Sequence, residues 1–107
     1  MIKERILCAA IWYKNLPMQR EIPELRPKNI KDGFVVLGHR HGQCIWTIFS
    51  LLGLRTCTNS DDGTGEHEQG FLTSKNRFVG REEAAIIAFD AGQIDKEKKV
   101  LYSEDLY

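Results

Sequence analysis

Apolar residues fall in short clusters along the chain, and the period within each cluster differs. Residues 5–14 (Arg-Ile-Leu-Cys-Ala-Ala-Ile-Trp-Tyr-Lys) are dense in β-formers and carry no helix punctuation. They predict a strand with one face buried, and with both faces buried around Cys8 to Ile11. Asp32-Gly33 signals a turn, and Phe34-Val35-Val36-Leu37 reads as a short buried strand ending at Gly38. Beyond Gly42 the period changes. Ile45, Ile48, Phe49 and Leu52 lie at helical spacing and Gly53 follows as a stop, so a helix is predicted over 43–52. Residues 70–74 and 77–79 flank Lys75-Asn76 as a tight hairpin. Gly80 then leads into Arg81-Glu82-Glu83, where the two acids complement the dipole of a starting helix. Ala84, Ile87, Ala88 and Ala91 form that helix's apolar face, and Gly92 supplies its C-terminal stop. After a charged turn over 95–99, Val100-Leu101-Tyr102 returns as a short strand.

Two segments break the pattern. Pro17, Pro23 and Pro27 make 15–29 a loop or extended arm that cannot join a sheet centre, of the kind that clasps a partner. Residues 55–68 are polar, rich in turn formers, and read as a surface loop. The expected fold is a single α+β domain over 1–107: a small antiparallel sheet of four to five strands with two α-helices, forming a homodimer.

Composition narrows the function classes. Fifteen basic and fifteen acidic residues cancel, so no net field draws the chain to DNA, RNA or an anionic membrane. No run approaches the roughly 20 apolar residues of a membrane span, and Met1 to Arg5 lack a signal-peptide pattern. Cys8, Cys44 and Cys57 are odd in number and widely spaced, which argues against a disulfide framework and for a reducing cytoplasm.

Polar chemistry concentrates at His39-Arg40-His41-Gly42-Gln43-Cys44. Together with Cys57 or His67 this cluster offers four zinc-type ligands, but the paired Cys-x-x-Cys or His-x-x-x-His spacing is missing. Arg40 offers a planar fork for phosphate beside the free N–H groups of the next helix start. The bland alternative is a basic loop facing solvent. Two-histidine phosphodiester cleavage needs a pair of His-x-Ser/Thr motifs, and neither His39 nor His41 starts one. Cys44 as a nucleophile needs a lowered thiol pKa and an oriented histidine; the alternative is a semi-buried, inert thiol. Glu68-Gln69-Gly70-Phe71-Leu72-Thr73-Ser74 combines an amide, an aromatic and two hydroxyls, a set suited to adenine. Equally, Phe71 is core and Gly70 marks a bulge. In the tail Tyr102 to Tyr107, Glu104 or Asp105 either accepts ribose hydroxyls or caps a last turn.

The strings Glu-Gln-Gly-Phe-Leu-Thr-Ser (68–74), Arg-Phe-Val-x-Arg-Glu-Glu-Ala (77–84), Ala-Gly-Gln-Ile (91–94) and Leu-Tyr-Ser-Glu-Asp-Leu (101–106) carry a resemblance. So do Ala9-Ala10-Ile11-x-Tyr13 and Arg40-His41. In these the chain resembles the type 1 Thoeris anti-defence proteins of phages and prophages. Those are sponges for the cyclic ADP-ribose signals of bacterial TIR-domain enzymes, closely matched here over the C-terminal 40 residues and loosely before. The resemblance implies a non-enzymatic protein without cofactor or metal that sequesters cyclic ADP-ribose isomers in the host cytoplasm. It also implies a homodimer that assembles further into hexamers, and, as in some relatives, separate pockets for cyclic oligonucleotides. By position it implies that Phe71 stacks on adenine with Gln69 and Ser74 nearby, that Arg40 and Arg81 meet the pyrophosphate, that His41 also lines the ligand site, and that Asp105 accepts from ribose. Another alignment puts Arg20 or Arg26 in the place of Arg40, and Gly80 stands where relatives carry a polar side chain. The runner-up is an enzyme hydrolysing such a signal through the His39/His41 loop; a third reading is an interaction protein that grips a host partner with the proline arm.

Overall fold

The chain's apolar clusters assemble around one long strand. The structure, a computed structural model, describes residues 3–14, 26–52 and 67–106. Strand β1 (Ile6–Tyr13) lies at the centre, between β2 (Phe34–Gly38) and β3 (His67–Thr73); β4 (Phe78–Gly80) completes a four-stranded sheet in the order β2-β1-β3-β4. Every pairing is antiparallel. Helix α1 (His41–Leu52) links β2 to the segment before β3, and α2 (Arg81–Asp90) follows β4 directly. No helix of the described residues is long and apolar enough to cross a membrane.

The run without polar alternation in β1 is explained by its central position. Ala9, Ile11 and Tyr13 are fully buried on the face that both helices cover, and Ala10 is fully buried on the other. The helix-side core adds Cys44 and Ile48 from α1, Phe71 and Val79 from the sheet, and Ala84, Ala85 and Ala88 from α2. Three alanines let α2 lie close to the sheet, so backbone proximity replaces side-chain bulk there. On the opposite face Ile30 packs with Ala10 and Phe78, with Trp12 set edge-on to Phe78 at 5.9 Å. Gly70 leaves room for that layer: a Cβ on it would lie 2.8 Å from the Phe78 ring and 2.1 Å from the Val79 carbonyl oxygen.

Residues 26–33 seal this second face. The Asn29 side chain donates to the Phe78 carbonyl oxygen (2.6 Å) and accepts from the Phe78 N–H (2.8 Å), occupying the outer edge of β4 as a further strand would. The expected arm over 15–29 lies outside the described residues up to 25.

Three sequence expectations need correction. Strand β3 begins at His67, inside the predicted surface loop, because β1 is long enough to pair Tyr13 with His67 and Trp12 with Glu68. A Lys14–Glu68 ion pair at 3.4 Å and a Tyr13–His67 ring stack at 6.0 Å hold these polar residues in the ladder. Residues 100–102 form no strand: Leu101 is fully buried and its N–H donates to the Arg81 carbonyl oxygen (3.0 Å), anchoring the tail to α2 rather than to the sheet. Helix α1 starts at His41, not 43, because the Gln43 side chain reaches back and accepts from the Arg40 N–H at 2.9 Å. Helix α2 ends as its punctuation predicts, with Gly92 at φ +75° and Gln93 N–H donating to the Ala88 carbonyl oxygen at 2.8 Å.

The N-terminal end of the sheet is clamped by charge. Arg77 donates to both carboxylate oxygens of Glu4 at 2.9 Å, and the Thr73 hydroxyl donates to one of them at 2.6 Å. These hydrogen bonds, Arg77's foremost, hold the Glu4 carboxyl down at about 2, against an ordinary 4.5. A carboxylate lowered in this way stabilises fully above its unfolded pKa, and that contribution is lost as pH falls toward the folded value. Glu4→Gln is therefore expected to cost about 1–3 kcal/mol at pH 7. In urea denaturation the gap to wild type should narrow between pH 4.5 and pH 2; a gap independent of pH would show that the pair is not ionic.

Candidate functional site

Both helices begin at the same place on the sheet. His41 is the first residue of α1 and Arg81 the first of α2, and they contact consecutive residues of β3. His41 Nε2 lies 2.7 Å from the Gly70 carbonyl oxygen, and Arg81 donates to the Gln69 side-chain oxygen. A carbonyl only accepts, so the His41 proton sits on Nε2. The ring is buried and meets Phe71 edge-on, with centroids 5.0 Å apart. Burial lowers the His41 pKa; the Gly70 carbonyl opposes that, the nearby Arg81 charge adds to it, and Glu104 opposes it. His41, Arg81 and Glu104 thus share one electrostatic neighbourhood, with a neutral imidazole at its base.

Arg81 is held from two sides. Besides Gln69, its guanidinium carbon sits 4.8 Å from the centroid of the Tyr102 ring. Gly80 precedes it in extended conformation, and no side chain caps this helix start. The Glu68 carboxylate stands beside this helix start, 2.8 Å from where a Cβ on Gly80 would lie; first-turn N–H groups of this kind serve acceptors at many phosphate sites. Glu82 and Glu83 also lie in that turn and share its dipole.

Of the residues singled out in the sequence, His41, Gln69 and Arg81 belong to this neighbourhood, and Arg40 is half-buried in the turn immediately before His41. Three do not take the expected role. Phe71 has no exposed surface, since α1 and the sheet enclose it, so it supports His41 from beneath and presents no face to a ligand. Ser74 lies beyond the end of β3, about 16 Å along the strand from Gln69, and its hydroxyl accepts from the Arg5 N–H at 3.0 Å. Asp105 is used internally: Lys98 Nζ lies 2.6 Å from one oxygen and the Tyr102 N–H donates to the other at 2.9 Å. Those bonds lower its pKa, Lys98's first. They close the C-terminal 3-10 turn (Ser103–Asp105) and leave Glu104 as its exposed carboxylate. Arg26, the alternative to Arg40, is buried and donates to the Lys31 carbonyl oxygen at 2.5 Å, so it organises the sealing segment; Arg20 lies outside the described residues.

The zinc and thiol chemistries find no support in this geometry. Among the described residues no group of three His, Cys, Asp or Glu side chains could hold a metal ion; Cys57 lies outside them. Cys44 is fully buried, and burial pushes its thiol up to about 11, away from a nucleophilic thiolate.

A 660 Å³ cleft lies elsewhere, along the outer side of α2 between Ile86, Phe89, Lys3 and Lys98. Its rim carries Lys3, Lys75 and Lys98 beside Glu4, Asp90 and Glu97, with Lys3 paired to Asp90 at 3.6 Å and Lys98 to Asp105 at 2.6 Å. The helix starts bring Arg81 together with the first-turn N–H groups of α2, with Glu68, Glu82, Glu83 and Glu104 also close by; the cleft has the volume.

Residues 5–107 match the family described as "Phage T4 y16D protein". The chain belongs to that phage protein family. No curated protein and no solved structure matches it.

Proposed function

We propose that this member of the phage T4 y16D family is an anti-defence sponge, capturing cyclic ADP-ribose signals in the cytoplasm of the bacterial host without cleaving them. The observation that carries the reading is the meeting of two helix starts, α1 with Arg40-His41 and α2 with Arg81, over Gln69-Gly70 of β3. A pyrophosphate would take a planar fork from Arg81 and Arg40 and N–H groups from the uncapped start of α2. Glu104, exposed beside His41, takes over from Asp105 as the acceptor for ribose hydroxyls. Neutral net charge suits this ligand, since one pyrophosphate needs only about two or three local cations and no extended basic face.

Two features support capture rather than chemistry. The His41 imidazole is tied to a backbone carbonyl, and the Cys44 thiol is buried and protonated. A sponge must bind tightly, with a dissociation constant of about 1 nM, or roughly 12 kcal/mol. That calls for enclosure, which a second copy of the chain would supply. The outer face of α1 suits that copy. Between Gly42 and Leu52 the helix contains no Asp, Glu, Lys or Arg, and Trp46 and Leu51 are 67% and 74% exposed. Across a two-fold axis identical residues meet, and an uncharged face meets its copy without repulsion.

Purified protein mixed with cyclic ADP-ribose isomers, filtered and then heated should release intact ligand, near one per site. A converted product would establish the hydrolase reading and redirect attention to His39 and His41; no retention of any isomer would overturn the ligand.

A further inference from the structure

With Phe71 enclosed, the site as read from the sequence has lost its aromatic face, and the structure supplies another. We infer that Tyr102 is the stacking platform for the purine base of the captured nucleotide, with Arg81 fixed on one side of its ring and the base lying on the solvent side. This inference rests on the proposed capture at Arg81.

Tyr102 is held in place by its neighbours. Leu101 on one side is fully buried and tied to Arg81 through its N–H at 3.0 Å; Ser103 on the other side is 2% exposed. The Tyr102 N–H donates to Asp105 at 2.9 Å, and Asp105 is in turn held by Lys98. Leu101, Ser103 and Asp105 thus fix the backbone that carries the ring. Yet Tyr102 is 46% exposed, with the Arg81 guanidinium already 4.8 Å from its centroid. One side of the ring is covered by a cation and much of the remainder faces solvent.

A rigid, exposed aromatic of this kind loses little entropy on binding. Base–aromatic stacking contributes about 1–3 kcal/mol per base, and a guanidinium beneath the ring adds to its hold on the π-system. Among the described residues, the other exposed aromatics lack this setting. Trp46 lies on the uncharged outer face of α1, and Phe89 lines the cleft on the outer side of α2, away from Arg81. Tyr102 also explains Asp105 without a ligand contact: the carboxylate is a positioning residue that sets the ring through the Tyr102 N–H.

The test titrates cyclic ADP-ribose, AMP and inorganic pyrophosphate into wild type, Tyr102→Phe and Tyr102→Leu, with circular dichroism to confirm that each variant is folded. Tyr102→Leu should weaken AMP and cyclic ADP-ribose by about 10-fold or more, leave pyrophosphate within about threefold, and Tyr102→Phe should stay close to wild type. Unchanged AMP and cyclic ADP-ribose binding in Tyr102→Leu would overturn the platform. Equal losses for all three probes would overturn it too, by showing that the ring acts only through Arg81. Wild type that binds AMP but not cyclic ADP-ribose would instead remove the sponge reading, and the platform would then stand or fall on AMP. Wild type that binds neither would remove both.

Discussion

Truncating Phe71 to alanine is expected to destabilise the protein by about 3–5 kcal/mol, the range for deleting a buried phenyl ring. The ring has no exposed surface and meets His41 edge-on at 5.0 Å, with Ala9 and Val79 paired beside it across the sheet. Domains of this size have a total stability of about 5–15 kcal/mol, so the variant would stand close to unfolding. Urea denaturation reads this directly as a lower midpoint with an unchanged slope. Phe71→Leu keeps most of the volume and should cost less, about 1–2 kcal/mol, leaving a folded protein whose ligand capture stays within a few-fold of wild type. The stacking role that the sequence resemblance implies makes the opposite forecast: capture lost while stability is kept. If Phe71→Leu abolished capture at an unchanged denaturation midpoint, Phe71 would have to leave the core on binding.

Phe71 also shows which parts of the molecule could be read from the chain and which could not. Strand β1, the hairpin and α2 were legible because each carries its own signal: a dense β-forming run, a turn at Lys75-Asn76, and a helix bracketed by Gly80 and Gly92. Asn76 indeed adopts φ 58° in that turn. His67-Glu68 were not legible as strand, since their local composition is that of a loop and only pairing with the far end of β1 overrides it. Leu101-Tyr102 misled in the other direction. Their β-forming character serves burial of one side chain and exposure of the next, with the backbone bonded to a helix start.

The same division holds for the candidate site. Gln69 and Arg81 could each be named from the sequence, but their contact depends on β4 being so short that α2 starts opposite the middle of β3. Gln69 and Phe71 lie on one face by strand alternation; that α1 covers the second and not the first is a matter of where the helix lies. Ser74 belonged to the same string of residues but falls at the far end of the strand. Tyr102 carried only the signal of an aromatic in a tail, and nothing in sequence spacing foretells that it meets Arg81.

Arg81 is the residue whose loss should affect capture most. Arg81→Ala removes the guanidinium that Gln69 and the Tyr102 ring hold in place, and with it a charge-assisted, two-pronged contact to a pyrophosphate. A loss of about 100-fold in affinity is expected, equivalent to about 2.7 kcal/mol. Stability should move by less than about 1 kcal/mol, because the side chain is only half-buried and its backbone bond to Leu101 survives the substitution. Arg81→Lys keeps the charge but loses the fork and the flat surface against Tyr102, so an intermediate loss of about 10-fold should follow. The lysine variant separates field from geometry: if lysine restored full affinity, Arg81 would act as a point charge and the orienting pair of Gln69 and Tyr102 would be irrelevant. Calorimetric titration at two salt concentrations completes the argument. The wild type should weaken with salt more steeply than Arg81→Ala, since one screened contact has gone. Capture by Arg81→Ala at wild-type affinity would move the anion site away from the helix starts altogether.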